Sequence, residues 1–120
     1  MNINGIQLLT VSRCALNKYR NVTRKGKHYS DLDIAKRLTR SCMLGTIINQ
    51  KGDIATYNYG CMDIIVNTVD GVVITCRNYK GDLLIKSKVN SKEKRELGRL
   101  LEIKIDNIWD LANSTYGVGV

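Results

Sequence analysis

The sequence predicts an α+β domain: two N-terminal helices, a four- or five-stranded antiparallel sheet, and a C-terminal helix. Three observations predict it. Apolar residues recur at helical spacing before residue 43 and again after residue 91. Between residues 46 and 78, β-branched and aromatic residues cluster in short runs. Those runs are separated by Lys51-Gly52-Asp53 and Asp70-Gly71, which read as hairpin turns. At 120 residues and 43% hydrophobic, the chain has apolar material for one core, so 1–120 reads as a single domain.

Ile6–Thr10 is a short β-like run. Ser12 then caps a helix over Arg13–Asn21, in which Ala15, Leu16 and Tyr19 form one apolar face. Asn21–Tyr29 is a cationic loop broken by Gly26. Ser30 followed by Asp33 has the form of a capping box, and Asp31 and Asp33 suit the positive end of a helix dipole. That second helix runs to Cys42 or Met43 and ends at Gly45. Leu32, Ile34, Ala35, Leu38 and Cys42 make its apolar stripe, with Lys36, Arg37 and Arg40 on the other side. Strands follow at Thr46–Asn49, Ile54–Tyr59, Asp63–Val69 and Val72–Asn78, with a fifth at Asp82–Lys86. A type I′ turn at Asp70-Gly71 sets Val66 opposite Thr75 and Ile64 opposite Arg77. Both faces of that hairpin carry apolar residues, so alternation does not choose the buried one. Ser91 caps the last helix, 91–113, whose stripe is Leu97, Leu101, Ile105, Ile108 and Ala112; it packs on the sheet or on another subunit. Residues 114–120 read as a loose tail.

Charge is distributed unevenly. Residues 13–40 hold nine of the 19 Lys and Arg against two of the 11 acids, a net +7, while the other 92 residues together carry +1. A concentrated basic segment of this kind suits a phosphate-bearing ligand, whose counterions are released on binding. No apolar run is long enough for a transmembrane helix, and Met1–Gly5 lacks the features of a signal peptide, which points to a cytoplasmic protein in its host cell with no membrane partner. Cys14, Cys42, Cys61 and Cys76 are scattered and none lies in a C-x-x-C pair. They read as buried, reduced thiols; two disulfides in an exported protein are the alternative, and neither a metal nor a cofactor is expected.

The segment Thr10-Val11-Ser12-Arg13-Cys14-Ala15-Leu16-Asn17-Lys18-Tyr19-Arg20 resembles the opening T-x-S-K-H-A-L-E-R-Y-R of small phage and mobile-element proteins. Val72–Arg77 resembles the strand that ends their meander. The order of elements over residues 6–80 is similar to the barnase–EndoU–RelE supergroup of metal-independent ribonucleases. The resemblance implies either a ribonuclease or a relative that keeps the fold for binding. Ala15, Leu16, Tyr19 and Arg20 match it, while Cys14 stands where the pattern has His and Asn17 where it has Glu. Packing residues and positive charge are kept and proton-transfer groups are lost, which favours binding, with counter-defence by sequestration as the implied role.

Site candidates follow from these readings. Arg13, Lys18, Arg20, Arg24, Lys25, Lys27, Arg37, Arg40 and Arg77 are the phosphate-binding candidates, with the loop around Gly26 as their centre. For a metal-independent ribonuclease, His28, Lys27 and Tyr29 are the catalytic candidates, with Arg77 on the phosphate. Tyr57 and Tyr59 share one side of a strand, where paired rings can stack bases or fill a core that has no Phe. Thr75 alternates with Ile74 and Cys76; if these two face the core, Thr75 and Arg77 line a cleft on the other side. The expected ligand is a nucleotide or an RNA segment, with an acidic protein partner as the alternative and a homo-oligomer left open.

Overall fold

The computed structural model describes residues 1–23, 26–79 and 90–103. The chain opens with a small hairpin, β1 (Asn2–Ile3) and β2 (Ile6–Gln7), turned by left-handed backbone at Asn4 and Gly5. After it come β3 (Thr10–Val11), α1 (Arg13–Val22), a 3-10 turn at Gly26–His28 and α2 (Asp31–Leu44). The meander follows as β4 (Thr46–Lys51), β5 (Ile54–Tyr59), β6 (Met62–Asn67) and β7 (Val72–Asn78), and α3 (Ser91–Leu100) comes last.

Local chemistry explains the first two helices. Ser12 and Ser30 each accept a backbone N–H three residues on, from Ala15 and Asp33, so each satisfies a donor that the helix start leaves open. Ala15, Leu16 and Tyr19 then turn inward with Ile34 and Leu38 from α2, and they meet Ile64, Val66, Val73 and Cys76 of the sheet. Ile34, Leu38 and Ile64 have no exposed surface, and each such burial stabilises the fold by about 1.5–3 kcal/mol.

The main sheet has the order β3-β7-β6-β5-β4 and is mixed, which corrects the all-antiparallel expectation. β4 to β7 form the expected meander. The fifth strand is β3, which lies parallel to β7 with Thr10 beside Val72 and Val11 beside Val73. It covers the open edge of β7, where Thr10 and Ser12 donate their N–H groups to the carbonyls of Gly71 and Val73. The expected strand Asp82–Lys86 lies outside the described residues.

The hairpin register also differs. Val66 pairs with Val73 and Ile64 with Cys76, because four residues, Thr68–Gly71, form the turn and a bulge follows beyond Val66. The Asn67 carboxamide oxygen accepts the N–H groups of Val69 and Asp70, and only Gly71 there takes a left-handed backbone. The bulge turns Val73 and Cys76 both to the core and leaves Ile74 exposed, so Ile74 does not share the buried face with Cys76.

Two helix expectations need correction as well. On α2, Leu32 is exposed whereas Thr39 and Arg40 are buried. The Thr39 hydroxyl is held by the N–H of Leu9, and Arg40 lies under α3. The last helix is capped by Asn90, not Ser91, and stops at Leu100 instead of continuing towards 113. Glu102 takes a left-handed backbone, and the N–H groups of Glu102 and Ile103 return to the carbonyls of Arg99 and Gly98, a Schellman-type stop. The residues from 104 onward that the stripe invoked lie outside the described part. Among the described residues, no helix is long and apolar enough to cross a membrane.

Candidate phosphate-binding surface

The basic segment divides into cations that hold the fold and cations that face solvent. Arg20 belongs to the first group. Its Nη2 donates to the carbonyl of Tyr29 at 3.0 Å and to Asp31 Oδ1 at 2.7 Å, fastening the start of α2 to α1. The hydrogen bond from Arg20 holds the Asp31 carboxyl below its ordinary value; desolvation opposes it, and the charges of Arg20 and Arg13 add to the lowering. Arg37 lies 4.0 Å above the ring of Tyr29, a cation–π contact. Arg40 is 9% exposed and donates from Nη1 to the carbonyl of Lys94 at 3.4 Å, while Lys36 donates to the carbonyl of Glu102 at 3.1 Å. Together Lys36 and Arg40 strap α3 along α2. The placement of Lys36, Arg37 and Arg40 on a solvent face is therefore corrected for Arg40, and Arg37 is half-buried.

Tyr29 sits in the core, 7% exposed, with its ring centroid 6.4 Å from that of Tyr19 and Arg37 above it. It is not presented to a substrate alongside Lys27 and His28, which are both exposed on the 3-10 turn. Burial pushes the Tyr19 hydroxyl up to about 12, with nearby Tyr29 adding and Arg37 and Arg40 opposing, so it stays protonated at neutral pH. Arg77 is exposed and pairs with Asp63 at 3.5 Å. Both alternate with residues that face the helices, Cys76 and Ile64, so this pair belongs to the opposite side of the sheet. Tyr57 packs half-buried against the core and Tyr59 is buried, so neither offers an open ring face for a base. Thr75 is half-buried, with its hydroxyl 3.8 Å from the Cys14 thiol. Arg24 and Lys25 lie outside the described residues.

The outward cations that remain are Arg13 and Lys18 on α1 and Lys27 on the turn that packs beside α1. Because Ala15, Leu16 and Tyr19 point inward, helical spacing puts Arg13, Asn17, Lys18 and Asn21 on the solvent side. No family model matches this chain, and no curated protein or solved structure is significantly similar to it. Its own geometry is thus what defines the site. Two grooves of comparable size, 460 and 470 Å3, flank α2. The first is lined mainly by apolar residues with no cation, and the second brings in one, Arg13, already beside Asp31. Among the described residues, neither groove gathers the several cations that an enclosed phosphate needs.

Sequence reasoning missed three things. Lys92 and Arg99, both exposed, lie one above the other on α3, and their i, i+7 spacing was visible. The buried pair Asn58 and Asp63, joined by Asn58 Nδ2 donating to Asp63 Oδ1 at 3.1 Å, gave no signal, since its burial depends on the sheet. Cys14 and Cys61 are exposed, against the expectation that all four thiols are buried.

Proposed function

We propose that this chain is a small, non-catalytic binding protein for a single-stranded RNA segment, held through its phosphates by the outer side of α1 and the following turn. The supporting observation is the division of labour among its cations. Arg20, Arg37 and Arg40 are committed to Asp31, Tyr29 and Lys94, while Arg13, Lys18 and Lys27 project to solvent. Solvent-facing charges outside a cavity suit an extended backbone, whereas a compact nucleotide signal calls for a cation-lined cavity. The burial of Tyr29 supports binding over cleavage, because it removes one of the three groups a metal-independent ribonuclease would use here. In the phage and mobile-element proteins that its opening resembles, such binding would act by sequestration.

Fluorescence anisotropy with labelled single-stranded RNA tests this. With three phosphate contacts, affinity falls with salt at a log–log slope of about −2, measured between about 50 and about 200 mM. Lys18→Glu with Lys27→Glu removes about two thirds of that slope, while Arg77→Glu, on the other side of the sheet, leaves it unchanged. Equal loss in both variants, or binding insensitive to salt, overturns the reading. Metal-independent cutting of the RNA that is abolished by His28→Ala replaces it with the ribonuclease.

A further inference from the structure

Cys14 and Cys76 lie on facing stretches of α1 and β7, near enough for each to touch the other's chain neighbour. The Cys76 thiol is buried, 3.7 Å from the carbonyl oxygen of Ala15, the residue after Cys14. The Cys14 thiol is exposed, 3.8 Å from the hydroxyl of Thr75, the residue before Cys76. The two contacts are independent and bracket the same pair. The alignment is held at its other end by Ser12, which donates its hydroxyl to the carbonyl of Ile74 at 2.7 Å and its N–H to that of Val73 at 3.0 Å. The start of α1 and the strand segment Val73–Cys76 therefore run side by side, pinned where Ser12 crosses the sheet edge.

We propose that Cys14 and Cys76 form a reversible intramolecular disulfide when the protein meets a peroxide. The exposed Cys14 sulfur attacks one peroxide oxygen, the O–O bond breaks, and water leaves, so Cys14 becomes a sulfenic acid. The Cys76 sulfur then attacks the Cys14 sulfur, the S–O bond breaks, and the hydroxide departs as a second water with the Cys76 proton. Two thiols are oxidised and one peroxide is reduced to two waters. Burial pushes the Cys76 thiol up to about 11, with nearby Cys14 adding and Lys18 opposing, so Cys76 enters the second step as a thiol whose proton leaves with the hydroxide. The bond would staple the start of α1 to β7 whether or not this surface binds RNA.

The test treats the reduced full chain with hydrogen peroxide and maps its peptides without reduction. The expected product is one linked pair, Cys14 with Cys76, accompanied by the loss of two hydrogen atoms from the intact chain. Closing a loop of about 60 residues raises Tm by on the order of 10 °C, reversed by a dithiol reductant. Cys14→Ser abolishes both changes. The double variant Cys42→Ser with Cys61→Ser retains them, and keeps the test decisive if the first variant folds poorly. A disulfide joining any other pair, a disulfide-linked dimer, or Cys14 overoxidised to sulfinic acid with Cys76 still free overturns the proposal.

Discussion

Gly45→Ala separates two effects that are usually confused at the end of a helix. Gly45 follows α2 with φ −81° and ψ −179°, an extended conformation that any residue adopts. By backbone reasoning alone, alanine would stabilise the protein by about 0.4–1 kcal/mol, because it restricts the unfolded chain. Packing opposes this. A Cβ at Gly45 would lie 2.6 Å from the carbonyl oxygen of Asn58 and 2.8 Å from that of Ser41, well inside the 3.4 Å at which ordinary contacts begin. Neither obstacle can rotate away, since both are backbone. The Ser41 carbonyl accepts the N–H of Gly45 itself, and Asn58 sits in a central strand between Thr46 and Asp63. Overpacking of this kind costs about 1–3 kcal/mol, so the net is a loss of about 1–2 kcal/mol. Thermal unfolding followed by circular dichroism would show Tm falling by on the order of 5 °C, with the urea midpoint falling in step. Gly52→Ala is the control: nothing lies within 4 Å of its Cβ, but its φ of +58° strains an alanine by about 1 kcal/mol. A Gly45→Ala protein as stable as the parent would refute the close approach of α2 to β5.

The clamp between α1 and α2 gives a pH signature. The Asp31 carboxyl is held below its ordinary 3.8, so its stabilising effect is complete above that pH and is lost as pH falls through the lowered value. The difference in urea midpoint between the parent and Asp31→Asn should be present at neutral pH and shrink steadily below 3.8; a gap that stays constant with pH would exclude the ion pair as its source. Tyr59→Phe tests an unsatisfied group. The Tyr59 hydroxyl is buried and finds no hydrogen-bond partner among the described residues, and burial raises its pKa. Its removal should leave stability unchanged or raise it by up to about 1 kcal/mol, and a loss above about 1 kcal/mol on urea unfolding would reveal a missed partner.

What was legible at the level of sequence was what depends on neighbours along the chain. Ser12 and Ser30 cap helices because each finds a backbone donor three residues away, and no distant contact is needed. The strands of the meander, and the glycines between them, followed from local β preference and turn chemistry in the same way. The net charge of residues 13–40 was also settled there, though its destinations were not.

Only the tertiary structure decided where those charges go. Arg20, Arg37 and Arg40 carry long apolar stems that can lie against neighbours while the guanidinium finds a carboxylate, a ring or a carbonyl. Which of these each one finds depends on α1, α2 and α3 meeting in space. The same holds for β3, which fills the edge of β7 from more than sixty residues away, for the bulge that turns Val73 and Cys76 inward together, and for the stop at Glu102. A helical stripe continued past Glu102 in the sequence, but the helix ended where the Lys36 ammonium met the Glu102 carbonyl and the chain turned back onto Gly98 and Arg99. Local pattern determined which elements form, and long-range contacts determined which of their side chains remain available to a ligand.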